Sequence, residues 1–280
     1  MRGGACAGPE PGGEGTAADL PRPRAGWYVP DVAILLCNDD GISSEGLAAL
    51  RDALAPLDEL WVVAPDRDQS AISHALTLQR PLRIEPAGVR AFTVDGTPTD
   101  CVNLAINGIL PERPRLVVSG INRGANLGDD ITYSGTVSAA MEGTLLGVPS
   151  IALSLVAVER FDFGAAAAFA HQLASVVLRD GLPADTFLNV NVPDVPAGDI
   201  KGVALTRQGK RRYSDAIVEK VDPRGKKYYW IGGGPMDFVD AEGTDFSAVG
   251  RGLISITPLH LDLTNYASLE RLAQLPLTWS

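Results

Sequence analysis

A short apolar run that ends in two adjacent carboxylates constrains this chain more than any other feature. Residues Val32–Leu36 are all apolar, and the acidic turn Asn38–Gly41 follows them. An apolar run without polar alternation is typical of a strand buried on both faces of a parallel sheet. Residues Ser43–Leu57 then predict a helix. Strand, turn and helix make the first half of a βαβ unit, so the sequence predicts an α/β fold.

The two carboxylates of this turn are Asp39 and Asp40. Open α/β sheets bind ligands beyond the carboxyl ends of their strands, which is where both residues fall. Consecutive strand residues point to opposite faces, so the two side chains can converge only if the chain turns, and Gly41 makes such a turn easy. Their like charges repel, and a bound cation would relieve that repulsion. The alternative is that one Asp caps the helix while the other is solvated.

Composition excludes several classes of protein. The chain has 280 residues, is 45% hydrophobic and carries 21% charged residues, which suits one substantial core. It contains no apolar run of about 18 residues, so we expect no membrane span. The formal net charge of −10 argues against binding a nucleic-acid duplex. A phosphorylated small molecule stays possible if a metal or a helix dipole reverses the local field.

The N-terminal segment and the cysteines indicate where the protein resides. Residues 1–29 are dominated by Gly, Pro and Ala and lack periodicity, so we predict a disordered extension before a single domain at 30–280. The segment has no apolar core of a signal peptide. Cys6, Cys37 and Cys101 form no CxxC pair, which favours a reducing compartment. We therefore expect a cytoplasmic protein.

Two further strands end in polar loops that could complete the site. The strand predicted at Leu60–Ala64 leads into a loop that contains Ser70, and the strand at Leu116–Ser119 is followed, three residues on, by Asn122. With the two Asp residues, these side chains offer only oxygen donors, so Mg²⁺ or Mn²⁺ fits better than zinc or copper. Neither GxGxxG nor a P-loop occurs, which disfavours nucleotide binding by those routes.

A helix predicted at Ser134–Leu146 offers a place for an anion. Its first turn contains Ser134, Gly135 and Thr136, with hydroxyls and free backbone N–H groups. The alternative is ordinary N-capping by Ser134 or Thr136. A hard dication beside such a helix start could hold a phosphate from two sides, the arrangement that phosphomonoester hydrolysis uses.

The remaining pattern supplies the rest of the sheet and a hairpin. Further strands are predicted at 149–155, 186–192, 202–206 and 252–258, and further helices at 99–110, 163–178 and 266–272. His171 lies on an apolar helix and is interpreted as a packing residue. Residues Arg207–Ile231 are basic, aromatic and broken by turn residues at Asp222–Gly225, which predicts a long hairpin. Tyr, Trp and Arg commonly anchor interfaces, although the hairpin could also fold back on its own domain.

These residues also resemble a known family. The SurE (survival protein E) family of metal-dependent 5'/3'-nucleotidases is similar in five motifs and their order: Asn38–Ile42 (NDDGI), Ala64–Asp66 (APD) with Ser70, Gly96–Asp100 (GTPTD), Val118–Gly124 (VSGINRG) and Ser134–Ala140 (SGTVSAA).

The resemblance implies a Rossmann-like, mostly parallel sheet with helices on both faces. It implies hydrolysis of nucleoside monophosphates and one divalent metal per subunit, held by Asp39, Asp40, Ser70 and Asn122. Asp39, Asp40 and Asn122 would then be the catalytic residues. The family's exchange of a hairpin segment implies a protruding hairpin at 207–231 and a homodimer or homotetramer.

Other functions remain open at this point. A non-catalytic, metal-dependent nucleotide sensor could use the same cradle. A haloacid-dehalogenase-type phosphatase and a metal-dependent glycosyltransferase both favour Asp-x-Asp, whereas Asp39 and Asp40 are adjacent. The sequence leaves the base, the 5' or 3' preference and activity on short polyphosphates open. It also does not decide whether the attacking group is metal-bound water, which we favour, or an Asp.

Overall fold

A computed structural model describes residues 33–157, 159–212, 217–231, 237–239 and 241–276. The predicted extension at 1–29 lies outside these residues. The strands are β1 (Ala33–Cys37), β2 (Glu59–Pro65), β3 (Ile84–Gly88), β4 (Ala91–Val94), β5 (Leu116–Arg123), β6 (Ser150–Val156), β7 (Thr186–Pro193), β8 (Val203–Leu205), β9 (Arg211–Arg212), β10 (Ile217–Val221), β11 (Lys227–Ile231), β12 (Asp237–Phe238) and β13 (Ile254–His260). The helices are α1 (Glu45–Leu54), α2 (Pro98–Leu104), α3 (Gly135–Leu145), α4 (Gly164–Asp180), α5 (Asp245–Gly250) and α6 (Tyr266–Leu272).

A nine-stranded sheet organises the described part of the chain, with the strand order β3-β4-β2-β1-β5-β6-β7-β13-β8. The six strands from β4 to β7 are parallel, while β3 and β13 run antiparallel to β4 and β7. Strand β1 lies near the centre, with β2 on one side and β5 on the other. Its last residue, Cys37, pairs with Ser119, so the acidic turn after β1 meets the end of β5 at one edge of the sheet.

Helices cover both faces of the sheet, as the sequence predicted. On one face, the apolar side chains of α1 and α4 pack with alternate residues of β1, such as Ile34 and Leu36. On the other face, α2 and α3 pack against Leu35 and Cys37. The alternation along β1 shows that both of its faces are buried, because side chains two residues apart share a face. The prediction of a doubly covered, mostly parallel sheet is confirmed.

Two predicted boundaries need correction. The helix predicted at 99–110 is α2, which is followed by a π-helical turn at Ala105–Ile109. Strand β5 continues to Arg123 and has an irregularity in its pairing with β6 between Ser119 and Asn122. Asn122 therefore lies within the strand instead of three residues beyond it. Gly120 is a residue typical of loops, so the sequence pattern predicted that the strand ends at Ser119.

The predicted hairpin is shorter than residues 207–231. Strands β10 and β11 form a two-stranded antiparallel sheet of their own, joined by the turn predicted at Asp222–Gly225. Residues 207–212 belong to the body of the domain instead, because β9 pairs with β12 and Arg211 contacts the carboxylate of Asp130 at 2.6 Å. Within the described residues, no helix combines the length and apolarity that crossing a bilayer requires.

Candidate metal and phosphate site

The acidic turn after β1 is shaped by its own residues. The side-chain amide of Asn38 donates to the carbonyl of Gly41 at 3.0 Å and to Ser44 Oγ at 2.7 Å. Gly41 has φ +93°, a conformation that favours glycine. Ser44 caps the start of α1 through the backbone N–H of Leu47. The helix is therefore capped by Ser44, which leaves both carboxylates of the turn free of that role.

The first of these carboxylates, Asp39, packs against the start of α3. Its side chain is 4% exposed and accepts a hydrogen bond from the hydroxyl of Thr136, which is fully buried. A Cβ added at Gly135 would lie 2.7 Å from Asp39 Cβ, so any larger residue there would push the helix away. The structure thus brings together Asp39, Gly135 and Thr136, which the sequence had placed 97 residues apart.

The first turn of α3 is largely committed to groups of the protein itself. Ser134 caps the helix by accepting from the backbone N–H of Val137 at 3.1 Å, as the capping alternative predicted. Thr136 directs both its hydroxyl and its backbone N–H to Asp39. Because the start of a helix favours negative charge, Asp39 is the anion that α3 holds in this structure.

The second carboxylate, Asp40, faces a cleft beside Arg123 instead of the start of α3. It accepts from the backbone N–H of Arg123 at 3.3 Å and is half-buried. The guanidinium of Arg123 is held by Glu45 at 3.1 Å and lies 5.6 Å from the centre of the Phe161 ring. Asp40 and Arg123 line a cleft of about 510 Å³ at the carboxyl edge of the sheet.

Ser70 lines the same cleft as Asp40. Its hydroxyl donates to Asp68 Oδ1 at 2.6 Å, and its backbone N–H donates to the same oxygen at 2.7 Å. The preceding residue, Gln69, donates its backbone N–H to the carbonyl of Asp39 at 2.8 Å. The loop after β2 is therefore joined directly to the acidic turn.

Asn122 lies beside this cleft without forming part of its lining. Its side-chain nitrogen donates to the carbonyl of Gly124 at 3.0 Å, which fixes the orientation of the amide. The side-chain oxygen then stays available as an acceptor. The next residue, Arg123, carries the N–H that meets Asp40, so strand β5 links Asn122 to the acidic turn.

The electrostatics of the acidic turn favour a bound cation. Burial raises the pKa of Asp39. Burial and the neighbouring charge of Asp39 raise the pKa of Asp40 to about 6. The side-chain oxygen of Asn38, which is also buried, has no hydrogen-bond partner among the described residues. Carboxyl groups such as Asp39 and Asp40 resist ionisation because too little positive charge lies near them, and a bound dication would supply that charge.

The donor types fit a hard dication. Within the described residues, no group of three or more His, Cys, Asp or Glu side chains is arranged to hold a metal ion. A cation held by the two carboxylates would need further oxygen ligands. The hydroxyl of Ser70, in the loop after β2, and the side-chain oxygen of Asn122, on β5, are of a suitable type. Carboxylate, hydroxyl and amide oxygens with retained water suit Mg²⁺ or Mn²⁺.

The comparison with protein families agrees with this site and fold. A family model described as "Survival protein SurE" matches residues 34–215. This chain belongs to the SurE family.

Relatives in the SurE family align with this chain over nearly their whole length. The protein is 61% identical over 246 residues to the 5'-nucleotidase SurE of Geotalea uraniireducens, covering 88% of this chain and 99% of the relative. It is 62% identical over 238 residues to the 5'-nucleotidase SurE of Geobacter sulfurreducens, covering 85% and 91%. The crystal structure of the SurE protein from Aquifex aeolicus superposes with a TM-score of 0.77 at 49% identity, covering 85% of this chain and 97% of that one.

Sequence reasoning about this SurE family member missed two side chains in the cleft. Asp68 binds the Ser70 hydroxyl, and its charge contributes to the raised pKa of both Asp39 and Asp40. Its spacing two residues before Ser70 is a signal for an Asx turn, which was available in the sequence. Arg123 gave no comparable signal, because only the fold shows that it lines the same cleft as Asp68.

Proposed function

We propose that this protein hydrolyses nucleoside 5'-monophosphates to nucleoside and inorganic phosphate, using one divalent cation per subunit. The relatives that carry the name 5'-nucleotidase are about 60% identical over most of the chain, which supports the phosphomonoesterase activity. The structural observation that carries the proposal is the pair of adjacent carboxylates, one packed on a helix start and the other facing a cleft. Activity on nucleoside 3'-monophosphates is part of the proposal.

Four side chains would hold the cation in this proposal. Asp39 and Asp40 supply the negative charge, and Ser70 and Asn122 supply neutral oxygens. The observation in favour is electrostatic, since burial raises the pKa of both carboxyl groups and a bound cation would offset that effect. When bound, a hard dication polarises a phosphoryl oxygen and lowers the pKa of bound water. We propose Mg²⁺ or Mn²⁺ as that cation.

The chain's own residues position the substrate's phosphate. The start of α3 carries Ser134, Gly135 and Thr136, and its dipole favours an anion at this place. Asp39 occupies that position in the structure. We propose that, once a cation offsets the charge of Asp39, the same helix start also attracts the phosphate.

The attacking group is water in this proposal. Asp39 is a poor nucleophile, because its carboxylate is 4% exposed and accepts the hydroxyl of Thr136. Asp40 accepts the N–H of Arg123 and faces the cleft, where it can orient a water molecule. With the oxygen of Asn122, Asp39 and Asp40 form the proposed catalytic set.

The proposal includes self-association to a homodimer or homotetramer through the hairpin of β10 and β11. Its strands are exposed along their whole length and carry Tyr228, Tyr229 and Trp230. A cytoplasmic location stays a prediction from the sequence.

The experiment is a phosphate-release assay over nucleoside 5'- and 3'-monophosphates with Mg²⁺, Mn²⁺ or excess EDTA. We expect turnover of several 5'-monophosphates with Mn²⁺ or Mg²⁺ and none with EDTA. Binding of nucleotide without phosphate release would favour the sensor alternative. Full turnover in EDTA would refute the metal requirement while leaving the hydrolase activity in place.

A further inference from the structure

The loop that carries Ser70 is held at several points on both sides of that residue. We call residues 66–77 the Ser70 loop. Before Ser70, the backbone N–H of Gln69 donates to the carbonyl of Asp39 at 2.8 Å. After it, the N–H of Ser73 donates to the carbonyl of Tyr133 at 3.0 Å, next to the start of α3. Only Ser70, Ala71 and Ile72 lie between these two anchors, so Ser70 has little freedom to move.

The backbone of this short span is itself constrained. Ala71 has φ +57° and Ser73 has φ +59°, both in the left-handed region that non-glycine residues rarely adopt. Such conformations are strained and persist only where the surrounding contacts impose them. The contacts that follow Ser73 must therefore hold the loop in place.

One of those contacts joins His74 to a buried carboxylate on α3. His74 Nε2 lies 2.8 Å from Glu142 Oε2, and Asn103 donates to the other carboxylate oxygen at 2.7 Å. Glu142 is 4% exposed. Burial alone would raise the pKa of Glu142, but the hydrogen bonds from His74 and Asn103 outweigh it and lower the pKa. The carboxylate is thus ionised and accepts, so His74 donates from Nε2.

Helix α3 therefore connects both halves of the candidate metal site. Near its start, Thr136 binds the carboxylate of Asp39. Six residues further along, Glu142 binds His74 of the Ser70 loop. A displacement of the loop relative to α3 would change the distance between Ser70 and Asp39, because each is tied to the same helix.

We propose that His74 is a positioning residue that places Ser70 for metal binding by anchoring the Ser70 loop to Glu142. The proposal rests on the proposed function, because it takes Ser70 and Asp39 as ligands of one cation. Removal of a group that hydrogen-bonds a metal ligand directly typically changes the metal affinity about 10–100-fold. His74 acts on Ser70 through the backbone of the loop, so we expect an effect at the lower end of that range. A contact that only stabilises the fold would change the melting temperature without a selective effect on metal affinity.

The test measures Mn²⁺ binding directly, by the loss of the electron paramagnetic resonance signal of free Mn²⁺ on titration with the full-length protein. We expect His74→Leu to raise the Mn²⁺ dissociation constant about tenfold. His74→Asn, whose amide is too short to reach Glu142, should do the same, so the test does not depend on one variant folding. His74→Gln can still donate to Glu142 and should restore most of the affinity. An unchanged dissociation constant in His74→Leu and His74→Asn would overturn the proposal.

Two matched controls separate positioning from general stability. His171→Leu removes an imidazole that makes one 2.8 Å hydrogen bond, to the carbonyl of Ala53, on the opposite face of the sheet. Asn103→Ala removes the second partner of Glu142 but leaves His74 in place. Both should lower the melting temperature and leave Mn²⁺ binding near the wild-type value. A loss of Mn²⁺ affinity in His171→Leu equal to that in His74→Leu would identify a general effect and contradict the proposal.

A double-mutant cycle shows whether His74 acts through Ser70. In a Ser70→Ala background, His74→Leu should weaken Mn²⁺ binding little further, because the ligand it positions is already absent. Additive losses would refute the route through Ser70. The two levels of inference fail differently: wild-type protein that binds no Mn²⁺ would defeat the metal proposal, whereas normal binding in the His74 variants would defeat only the positioning role.

Discussion

The acidic turn after β1 and the hairpin of β10 and β11 are opposite kinds of local structure. The turn buries charge: Asp39 is held by Thr136, and three elements meet around it. The hairpin does the reverse, since all ten of its strand residues are exposed, among them Trp230 at 63% and Ile231 at 93%. Each arrangement costs free energy in the isolated chain, one through desolvated charge and the other through exposed apolar surface.

The difference indicates which kind of partner each region lacks. A pair of carboxylates, one buried and one half-buried, is suited to a small cation, because the protein supplies the geometry and the cation supplies the charge. An exposed two-stranded hairpin is marginal in water and is suited to a large surface such as another subunit. The cross-strand pairs, such as Val218 with Trp230, and the Lys227–Glu219 ion pair at 2.8 Å stabilise the hairpin itself. They do not cover its apolar area.

The largest expected effect is the loss of activity when either carboxylate of the turn is neutralised. Asp39→Asn and Asp40→Asn should each lower kcat/KM by more than about 100-fold, because each removes a charged ligand of the proposed cation. Removal of a group that only hydrogen-bonds such a ligand already costs up to about 100-fold. The measurement is phosphate release from a nucleoside 5'-monophosphate with Mn²⁺. Circular dichroism of both variants should match that of the wild type. Near-normal kcat/KM in either variant would place the cation elsewhere.

The sequence predicted this turn well because its signals are local. The apolar run at β1, the glycine at 41 and the following helix pattern each depend on neighbouring residues, and the structure confirms that fold. The sequence placed Asp39 and the start of α3 beside one phosphate, but it did not predict the hydrogen bond between Asp39 and Thr136, which joins residues 97 positions apart. The same limit explains why Arg123 was missed. Asn122 was placed beyond its strand for a local reason, because Gly120 is typical of a loop. The hairpin turn was local and was predicted, whereas the attachment of residues 207–212 to the domain depends on distant partners such as Asp130.

A smaller effect is expected from the neutral oxygens of the proposed site. Ser70→Ala and Asn122→Ala should each lower kcat/KM about tenfold, because they remove an uncharged ligand that water can partly replace. Activity at a range of Mn²⁺ concentrations measures the effect, and more Mn²⁺ should restore part of the loss. Ser43→Ala, in the same cleft wall, is the matched control and should behave as wild type. Wild-type turnover in both test variants would show that other groups complete the site.

Thr136 tests whether the start of α3 serves the substrate as well as Asp39. Thr136→Ala removes one hydrogen bond and should weaken inhibition by free phosphate about fivefold, with a similar rise in KM, since such a bond contributes about 1 kcal/mol. Ser138→Ala is the control, because this buried hydroxyl binds only the carbonyl of Ser134 in the same helix. If the phosphate inhibition constant of Thr136→Ala equals that of the control, the hydroxyl serves only to hold Asp39.

The prediction that the hairpin mediates self-association is tested by the mass of the protein in solution. Replacing residues 217–231 with a short Gly/Ser linker should reduce the mass measured by light scattering at least twofold, to that of one chain or one dimer. A double variant, Trp230→Ser with Val218→Ser, keeps the hairpin length and should weaken association by removing apolar area. A monomeric wild type, or unchanged mass in the linker variant, would mean that the hairpin's exposed residues have another partner or none.

The smallest expected effect is on the stability of the metal-free protein, and it follows from the sign of the pKa shifts at the acidic turn. An unfolded Asp titrates near pH 3.9, whereas burial and the charge of Asp39 raise the pKa of Asp40 to about 6, and burial raises that of Asp39. The native state then holds a proton that the unfolded chain has already lost, so the contribution of these carboxyl groups to stability is greatest below about pH 4 and falls as pH rises through about 6. Asp40→Asn removes this penalty. In EDTA, its melting temperature relative to wild type should rise by about 2–4 °C between pH 4 and pH 7, because screening by solvent reduces the contribution of this half-buried group to about 1 kcal/mol.

Adding Mn²⁺ at pH 7 should reverse the order of the two melting temperatures by stabilising the wild type alone. A melting-temperature difference that stays constant over this range would show that the acidic turn carries no electrostatic penalty for a cation to relieve, and only the hairpin would then remain as a region in need of a partner.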